Sequence, residues 1–463
     1  MTVNILTIKC PQCSSIKHSS LGNDKYQCES CGAIYFIDKN EQHIYIHQQN
    51  QSKETLEVNK ITNFKILGLL GCLIPLVLVL YFFLTENSND LDPVIEPKSY
   101  QSTNSSLESN KIKKEEWTHK NIKMFVDNET PFLIMDSKLR VEDPEMFTQS
   151  KIQYFIKIFD INAQQFVSEF NVTDDNNKKI SYEIKSWDQD EILLLVNNQK
   201  LYQLNKKNKT FQDVEQRFFT NHAEFSQGLA KIEFVRPQWG SGLYVYTNKG
   251  KHFYYYPMID KLYDEDAFYN ARDGFKSLPA NAYTRISYQF DLESYDYPDE
   301  NHQLIKYEYK YLPGFPREEP MFRWRKVFDN PSNQPVVVIY ENTPFKKLLI
   351  HPTKKNDSRI IKYADFTPDR LYFFPKLLTF NDNAVLIAFT TSPVKTENYI
   401  VQLLNAKNTD IIFSYNFPFK FKQLNAEITK DHILLMTEDH FIELNHEGKQ
   451  DFLLDTQSLN SRE

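Results

Sequence analysis

Four cysteines near the start of this 463-residue chain are the residues best suited by type and spacing to do chemistry. Cys10 and Cys13 form one Cys-x2-Cys pair, and Cys28 and Cys31 form a second pair after fourteen intervening residues. Each pair directs two thiolates at one point, and two pairs complete the closed tetrahedron of a structural zinc site. So small a module has too little apolar core to fold alone, so the metal would supply its folding energy.

Residues 8–38 resemble the zinc ribbons at the start of many bacterial proteins and in transcription-factor and transposase families. The shared features are a Cys-Pro-x-Cys opening, a Cys-x-x-Cys-Gly close and the aromatic segment Tyr35-Phe36 after it. The resemblance implies a ribbon with Zn²⁺ as its structural cofactor and implies no particular function. A rubredoxin-like iron site and a redox dithiol are the alternatives, and the tight spacing favours neither.

The charge of the N-terminal region argues against nucleic acid as a partner. Residues 1–60 contain six lysines, six acidic residues and no arginine, and the whole chain has a formal net charge of -7. Because phosphate contacts dominate nucleic-acid affinity, a neutral module without arginine is a poor candidate for binding it. A structural or protein-docking role is the better expectation for the ribbon.

A run of nineteen uncharged residues, from Ile66 to Leu84, predicts one transmembrane helix. The run begins too late in the chain for an ordinary cleaved signal peptide, so we expect a retained anchor in the lipid bilayer. Three lysines lie shortly before it (Lys53, Lys60 and Lys65), whereas only Lys98 lies within similar reach after it. This bias predicts a single-pass protein of the inner (cytoplasmic) membrane, with a cytoplasmic N-terminus and a periplasmic or extracellular C-terminal domain.

Composition predicts a mainly β protein. Aromatic residues make up 14% of the chain and glycine only 11 residues, which favours strands and disfavours glycine-rich nucleotide loops. All 5 cysteines lie in the first 72 residues, so the large domain contains no disulfide. The expected domains are a zinc ribbon (1–48), a juxtamembrane linker (49–65), a transmembrane helix (66–84), a flexible tether (85–116) and a β-propeller-like domain (117–463).

A repeat of apolar strands, each followed by turns and further strands, recurs through the large domain. The last three clear copies are spaced 49 and 48 residues apart. A multi-strand repeat of this length is typical of β-propeller blades, whereas a pair of β-sandwiches would lack a steady long period. We therefore predict about seven blades, centred on Leu133, Leu194, Leu243, Ser287, Val338, Ile387 and Leu435.

The repeat units resemble propellers of the quinoprotein-like and WD40-like groups. The segments that carry the resemblance are strand–turn–strand units ending in Tyr-Gln-Leu-Asn (202–205) or Ile-Glu-Leu-Asn (442–445). The Trp-Asp and Gly-His marks of WD40 repeats and the tryptophan-docking motif are absent. The resemblance therefore implies an architecture and not an enzyme family.

Candidate chemistry in the large domain is scattered. Two acidic loops could gather oxygen ligands for calcium, but they lack the spacing and turn glycine of a calcium loop, so solvated loops are the preferred interpretation. The first loop contains Asp260, Asp264, Glu265 and Asp266. The second loop contains Asp291, Glu293, Asp296, Asp299 and Glu300. Residues 253–256 could line a carbohydrate-binding face, although alternate strand residues should be core. The sequence contains no recognised hydrolase, zinc-protease or P-loop motif, and its eight histidines after residue 117 lie far apart.

These features favour a membrane-anchored binding or scaffold protein. Its propeller would engage a protein of the cell envelope or a ligand, through residues that the sequence does not identify, and no catalytic residue is assigned. The first alternative is a transmembrane sensor that relays ligand binding to a nucleic-acid- or protein-binding ribbon. The second is an envelope enzyme with a site in the propeller channel.

Overall fold

The computed structural model describes residues 17–22, 25–30, 34–37, 44–45, 114–142, 151–173, 180–328, 345–393 and 398–461. In its N-terminal part four short strands form one antiparallel sheet in sequential order. They are β1 (His18–Gly22), β2 (Lys25–Cys28), β3 (Ile34–Ile37) and β4 (Ile44–Tyr45).

The rest of the described chain forms six successive antiparallel sheets, the blades of a β-propeller. Blades 1 to 3 have four strands each, hydrogen-bonded in chain order. Their strands are β5 (Lys114–Asp127), β6 (Thr130–Glu142), β7 (Lys151–Asp160) and β8 (Gln165–Asn171), then β9 (Tyr182–Ser186), β10 (Ile192–Val196), β11 (Lys200–Asn205) and β12 (Thr210–Asp213), then β13 (Leu229–Phe234), β14 (Leu243–Thr247), β15 (His252–Tyr256) and β16 (Lys261–Tyr263).

Blade 4 differs from the others because it has three strands and carries an inserted two-stranded hairpin, β19–β20. Blades 5 and 6 return to four strands. The strands are β17 (Tyr283–Phe290), β18 (Leu304–Tyr311), β19 (Arg325–Phe328), β20 (Phe345–Leu348) and β21 (Ile360–Asp365), then β22 (Phe373–Phe380), β23 (Ala384–Thr390), β24 (Ile400–Asn405) and β25 (Ile411–Asn416), then β26 (Asn425–Ile428), β27 (His432–Met436), β28 (His440–Asn445) and β29 (Gln450–Asp455).

In the described ranges three short α-helices connect or flank the blades: α1 (Glu215–Phe219), α2 (Glu265–Arg272) and α3 (Pro352–Asp357). None of the helices in the described ranges is long and apolar enough to cross a bilayer. Residues 66–84, the predicted transmembrane segment, lie outside those ranges, as do Cys10, Cys13 and Cys31. The membrane and zinc hypotheses therefore remain predictions.

Packing between neighbouring blades explains the continuous apolar runs in the sequence. All residues of β10 and of β23 are buried. Each strand is second in its blade and contacts an adjacent blade on both faces, so apolar side chains are needed on both sides. Blade 1 in turn packs against blade 6, where Met124 and Leu133 share one apolar cluster with Leu434 and Phe441. This contact closes the ring.

The blade count corrects the prediction of about seven. Five of the predicted centres lie in the second strand of a blade: Leu133, Leu194, Leu243, Ile387 and Leu435. Ser287 lies in β17, the first strand of blade 4. Val338 lies outside the described residues, between β19 and β20 of the hairpin inserted into blade 4. The hairpin pairs only with itself in the described chain, so it adds length without adding a blade.

Candidate functional site

A cleft of about 380 Å³ lies between blade 4 and the start of blade 5. The loop from β17 to β18 provides one wall, and Trp324, next to β19, joins it from the inserted segment. The opposite wall comes from Phe373 and Phe374 at the start of β22. We call this cleft the acidic cleft. Its lining residues are Asp291, Leu292, Glu293, Ser294, Pro298, Glu300, His302, Trp324, Phe373, Phe374 and Pro393.

The loop that forms the cleft is held by its own short side chains. Ser294 Oγ donates to the carbonyl oxygen of Trp324 at 2.7 Å and accepts from the backbone N–H of Tyr297 at 2.9 Å. Asp296 accepts from the backbone N–H of Lys326 at 2.9 Å, which ties the loop to β19. Serine and aspartate make such local bonds readily, which explains why this long loop has a defined shape.

Asp291 and His302 form a pair at the base of the cleft. Asp291 is 5% exposed, and its Oδ1 accepts from the backbone N–H of Gln303 at 2.7 Å and lies 3.3 Å from His302 Nδ1. The hydrogen bond that His302 donates to the Asp291 carboxylate raises the pKa of His302, against the opposing effect of burial, and Glu293 adds to the increase. The imidazolium is therefore the favoured partner of this carboxylate.

This pair makes stability depend on pH. Because the pKa of folded His302 is above its unfolded value of about 6.5, its stabilising contribution is complete below that pH and disappears as pH rises through the folded pKa. We expect the difference in unfolding free energy between the natural protein and His302→Asn to shrink as pH rises across this interval. Urea unfolding at several pH values measures it. In an Asp291→Asn background the pH dependence should be smaller, because only the Asp291 backbone carbonyl and Glu293 still favour the imidazolium. An unchanged slope there would contradict the assignment.

The cleft does not assemble a catalytic triad. Ser294, His302 and Asp291 all line it, but the Ser294 hydroxyl is committed to the Trp324 carbonyl. No hydrogen bond joins Ser294 to His302 in the described chain, so the serine lacks the adjacent base that activates a nucleophile. The arrangement is suited to binding.

The acidic loops of the sequence have mostly structural roles. Asp260 accepts from His222 Nε2 at 2.8 Å and from the Tyr255 hydroxyl at 2.9 Å, and these bonds lower its pKa. Asp264 caps α2 by accepting from the backbone N–H of Ala267. In the second loop Glu300 pairs with Lys347. Nowhere in the described ranges do three or more His, Cys, Asp or Glu side chains converge as a metal site would require.

The aromatic run at 253–256 belongs to the core. Phe253 and Tyr255 pack on one side of β15, and Tyr254 and Tyr256 pack on the other. The Tyr256 ring lies so close to Gly242 that a Cβ there would come within 2.7 Å of it. Both faces of this strand are covered, so it provides no carbohydrate platform.

The strands nearest the propeller axis bring together a different set of charges. β22 contacts β26 and β26 contacts β5, so the first strands of blades 5, 6 and 1 are neighbours. Burial raises the pKa of Glu427 on β26 and lowers the pKa of Lys123 on β5. The other charges that act on Glu427 are Asp190 and Lys206. None of the histidines of the described chain is among the charges that act on Glu427 or Lys123.

Exposed apolar side chains are concentrated in the part of the chain that builds blade 4 and its connections. Nine of the thirteen large exposed hydrophobic residues fall between residues 269 and 361, about a quarter of the described chain. Tyr295 is 90% exposed. We call this set the blade-4 surface: Tyr269, Phe275, Tyr283, Ile286, Leu292, Tyr295, Met321, Phe345 and Ile361.

No family model and no curated protein matches the chain. Among solved structures, it is similar to the dihydro-heme d1 dehydrogenase NirN in complex with DHE, at 9% identity and a TM-score of 0.22, over 73% of this chain and 66% of that one. It is also similar to BamB from Moraxella catarrhalis, at 12% identity and a TM-score of 0.26, over 74% and 89% of the two chains. A third is BBS1N in complex with ARL6DN, at 8% identity and a TM-score of 0.20, over 71% and 88%. Similarities this weak carry no argument about function, and the propeller assignment rests on the order of the sheets.

Proposed function

We propose that the protein is a membrane-anchored binding protein whose propeller engages a protein partner of the cell envelope through blade 4. The supporting observation is that most of the large exposed apolar side chains of the described residues lie in the segment that builds blade 4, with Leu292 also lining the acidic cleft. Soluble surfaces rarely gather large apolar side chains in one region unless something binds there. In this proposal residues 66–84 anchor the chain in the inner membrane and the zinc ribbon is a cytoplasmic structural module.

The partner should depend on the blade-4 surface. Tyr295→Ser combined with Phe345→Ser removes two exposed aromatic side chains without touching a buried one. Truncating an interface anchor typically costs about 2 kcal/mol, or roughly 30-fold in affinity. Crosslinking of the full-length protein in its native membrane, followed by quantitative mass spectrometry, should therefore recover an envelope protein with the natural chain and lose it with the double variant.

Val167→Ser combined with Leu453→Ser is the matched control, since both side chains are about 40% exposed on blades 1 and 6. It should keep the partner. If both double variants keep the partner equally, recognition lies elsewhere on the propeller. If the natural chain captures only lipid and chaperones, the binding proposal is wrong.

The location of the ribbon is tested with the same membranes. Cys28 is 1% exposed and shares an apolar cluster with Tyr288, Phe290 and Leu304 of blade 4. A single crossing by residues 66–84 would place residues before and after it on opposite sides of the bilayer, so it would exclude this contact. Protease added from outside should digest the propeller and spare residues 1–60. Digestion of both would overturn the proposed topology and leave the two modules on one side.

A further inference from the structure

Lys347 shows how the wall of the acidic cleft holds a cation. Its Nζ lies 4.6 Å from the ring centroid of Trp324 and 4.6 Å from that of Tyr297, and it forms an ion pair with Glu300. An ammonium group between an aromatic face and a carboxylate gains from both the ring quadrupole and the negative charge. Trp324 and Glu300 also line the cleft itself, so the same type of wall faces the cavity.

The charges of the cleft are not balanced by this one lysine. Asp291, Glu293 and Glu300 contribute three carboxylates to its lining, and Glu293 has no ion pair or hydrogen bond in the described part of the chain. Asp291 is occupied by His302 and a backbone N–H, and Glu300 by Lys347. Glu293 is therefore the carboxylate available to a cation that enters from outside.

Most of the remaining lining is apolar. Phe373, Phe374, Pro298 and Pro393 join Trp324 around the acidic groups. Long basic side chains combine an apolar stem with a charged head, and they bury the stem along such surfaces while the head reaches polar partners. A small ion would use only the carboxylates and would leave the aromatic and proline walls without a partner.

We infer that the acidic cleft binds a lysine or arginine side chain of the protein partner, whose neighbouring residues lie on the blade-4 surface. The inference rests on the proposed function. The basic head pairs with Glu293, and the stem lies against Trp324 and Phe373. The apolar rim formed by residues such as Leu292 and Tyr295 contacts the rest of the partner segment.

Trp324 provides a direct probe because the chain has only 4 tryptophans. Full-length protein containing 5-fluorotryptophan should give four ¹⁹F resonances, and Trp324→Phe identifies that of Trp324. The probes are blocked tripeptides Gly-Lys-Gly, Gly-Arg-Gly, Gly-norleucine-Gly and Gly-Glu-Gly. We expect the Lys and Arg peptides to shift the Trp324 resonance saturably, and the norleucine and Glu peptides to leave it unchanged.

Glu293→Gln should weaken binding of the lysine peptide about tenfold, because a charged hydrogen-bond partner is lost. Glu224→Gln, at an exposed position on the loop before blade 3, is the matched control and should bind as the natural chain does. Equal binding of norleucine and lysine would overturn the inference in favour of a purely apolar cleft. Preferential binding of the Glu peptide, or no shift with any peptide, would also overturn it. These outcomes require no partner, so they are independent of the crosslinking result.

Discussion

Arg359→Met is expected to lower the free energy of unfolding of the propeller by about 3 kcal/mol, since it leaves several buried carbonyl groups without a donor. The Arg359 side chain is 3% exposed and donates to three backbone carbonyl oxygens. These belong to Ala271 at 2.5 Å, Gly274 at 2.6 Å and Pro316 at 2.9 Å. The guanidinium thereby joins the end of α2, the segment after β18 and the start of β21.

The environment of Arg359 suits arginine better than another basic side chain. Burial lowers the pKa of Arg359 to about 10, and no carboxylate shares its hydrogen bonds. The last-turn carbonyl of α2 is at the negative end of the helix, which favours a cation there. The planar fork of arginine reaches three acceptors in different directions, whereas lysine presents a single compact head. Arg359→Lys should therefore lose about half as much stability as Arg359→Met.

Urea unfolding of the full-length protein, followed by tryptophan fluorescence, measures the effect. Arg236→Met is the matched control, because Arg236 is exposed and its guanidinium lies over the Trp239 ring, 4.8 Å from the ring centroid. Its loss should cost less than about 1 kcal/mol. Equal losses for the two methionine variants would show that the carbonyl contacts of Arg359 contribute nothing specific.

The apolar runs were enough to predict most blades. Leu194, Ile387 and Leu435 lie in strands that are buried on both faces, and this is why their neighbourhoods are apolar without alternation. Such runs are visible in any sequence because burial on both sides removes the polar positions. The strands at the edges of the blades carry weaker patterns, since only part of their surface is covered.

The predicted blade count was wrong because an inserted segment has the length and the strand–turn pattern of a repeat. The interval from Leu194 to Val338 is three times 48 residues, which suggested three more blades. Only blades 3 and 4 begin in that interval, and the segment between β18 and β21, which contains the hairpin and α3, supplies the extra length. Spacing alone does not distinguish a blade from an insertion, because both consist of short strands and turns.

The contacts that organise the site were only partly predictable. His302 and Asp291 flank a loop between two strands, so their proximity could have been inferred from the ends of a hairpin. Arg359 could not be identified, because its partners are main-chain carbonyls up to 88 residues away, and a carbonyl has no side-chain identity in the sequence. The acidic cleft likewise combines residues of two blades and an insertion.

We expect the purified full-length protein to contain one zinc ion per chain, and we expect Cys13→Ser to abolish this zinc binding. β1 to β4 provide only a few short strands, so the ribbon has too small an apolar core to remain folded without metal. Zinc binding to such modules supplies on the order of 10 kcal/mol at neutral pH. Elemental analysis of the purified full-length protein measures the metal, and limited proteolysis within residues 1–48 reports the fold.

Cys72→Ser is the control that separates the four proposed ligands from the fifth cysteine, and it should retain one zinc. Cys28 ends β2 opposite His18, and as a zinc ligand its thiol should resist alkylation while the ribbon is folded. Because a zinc-bound thiolate is shielded and the metal maintains the fold, chelation should make Cys28 react rapidly. The zinc-ribbon prediction would be refuted if protein purified with zinc supplied contained none. It would also be refuted if the Cys13→Ser variant had an unchanged zinc content. Rapid alkylation of Cys28 before chelation would instead show that this cysteine is not a ligand.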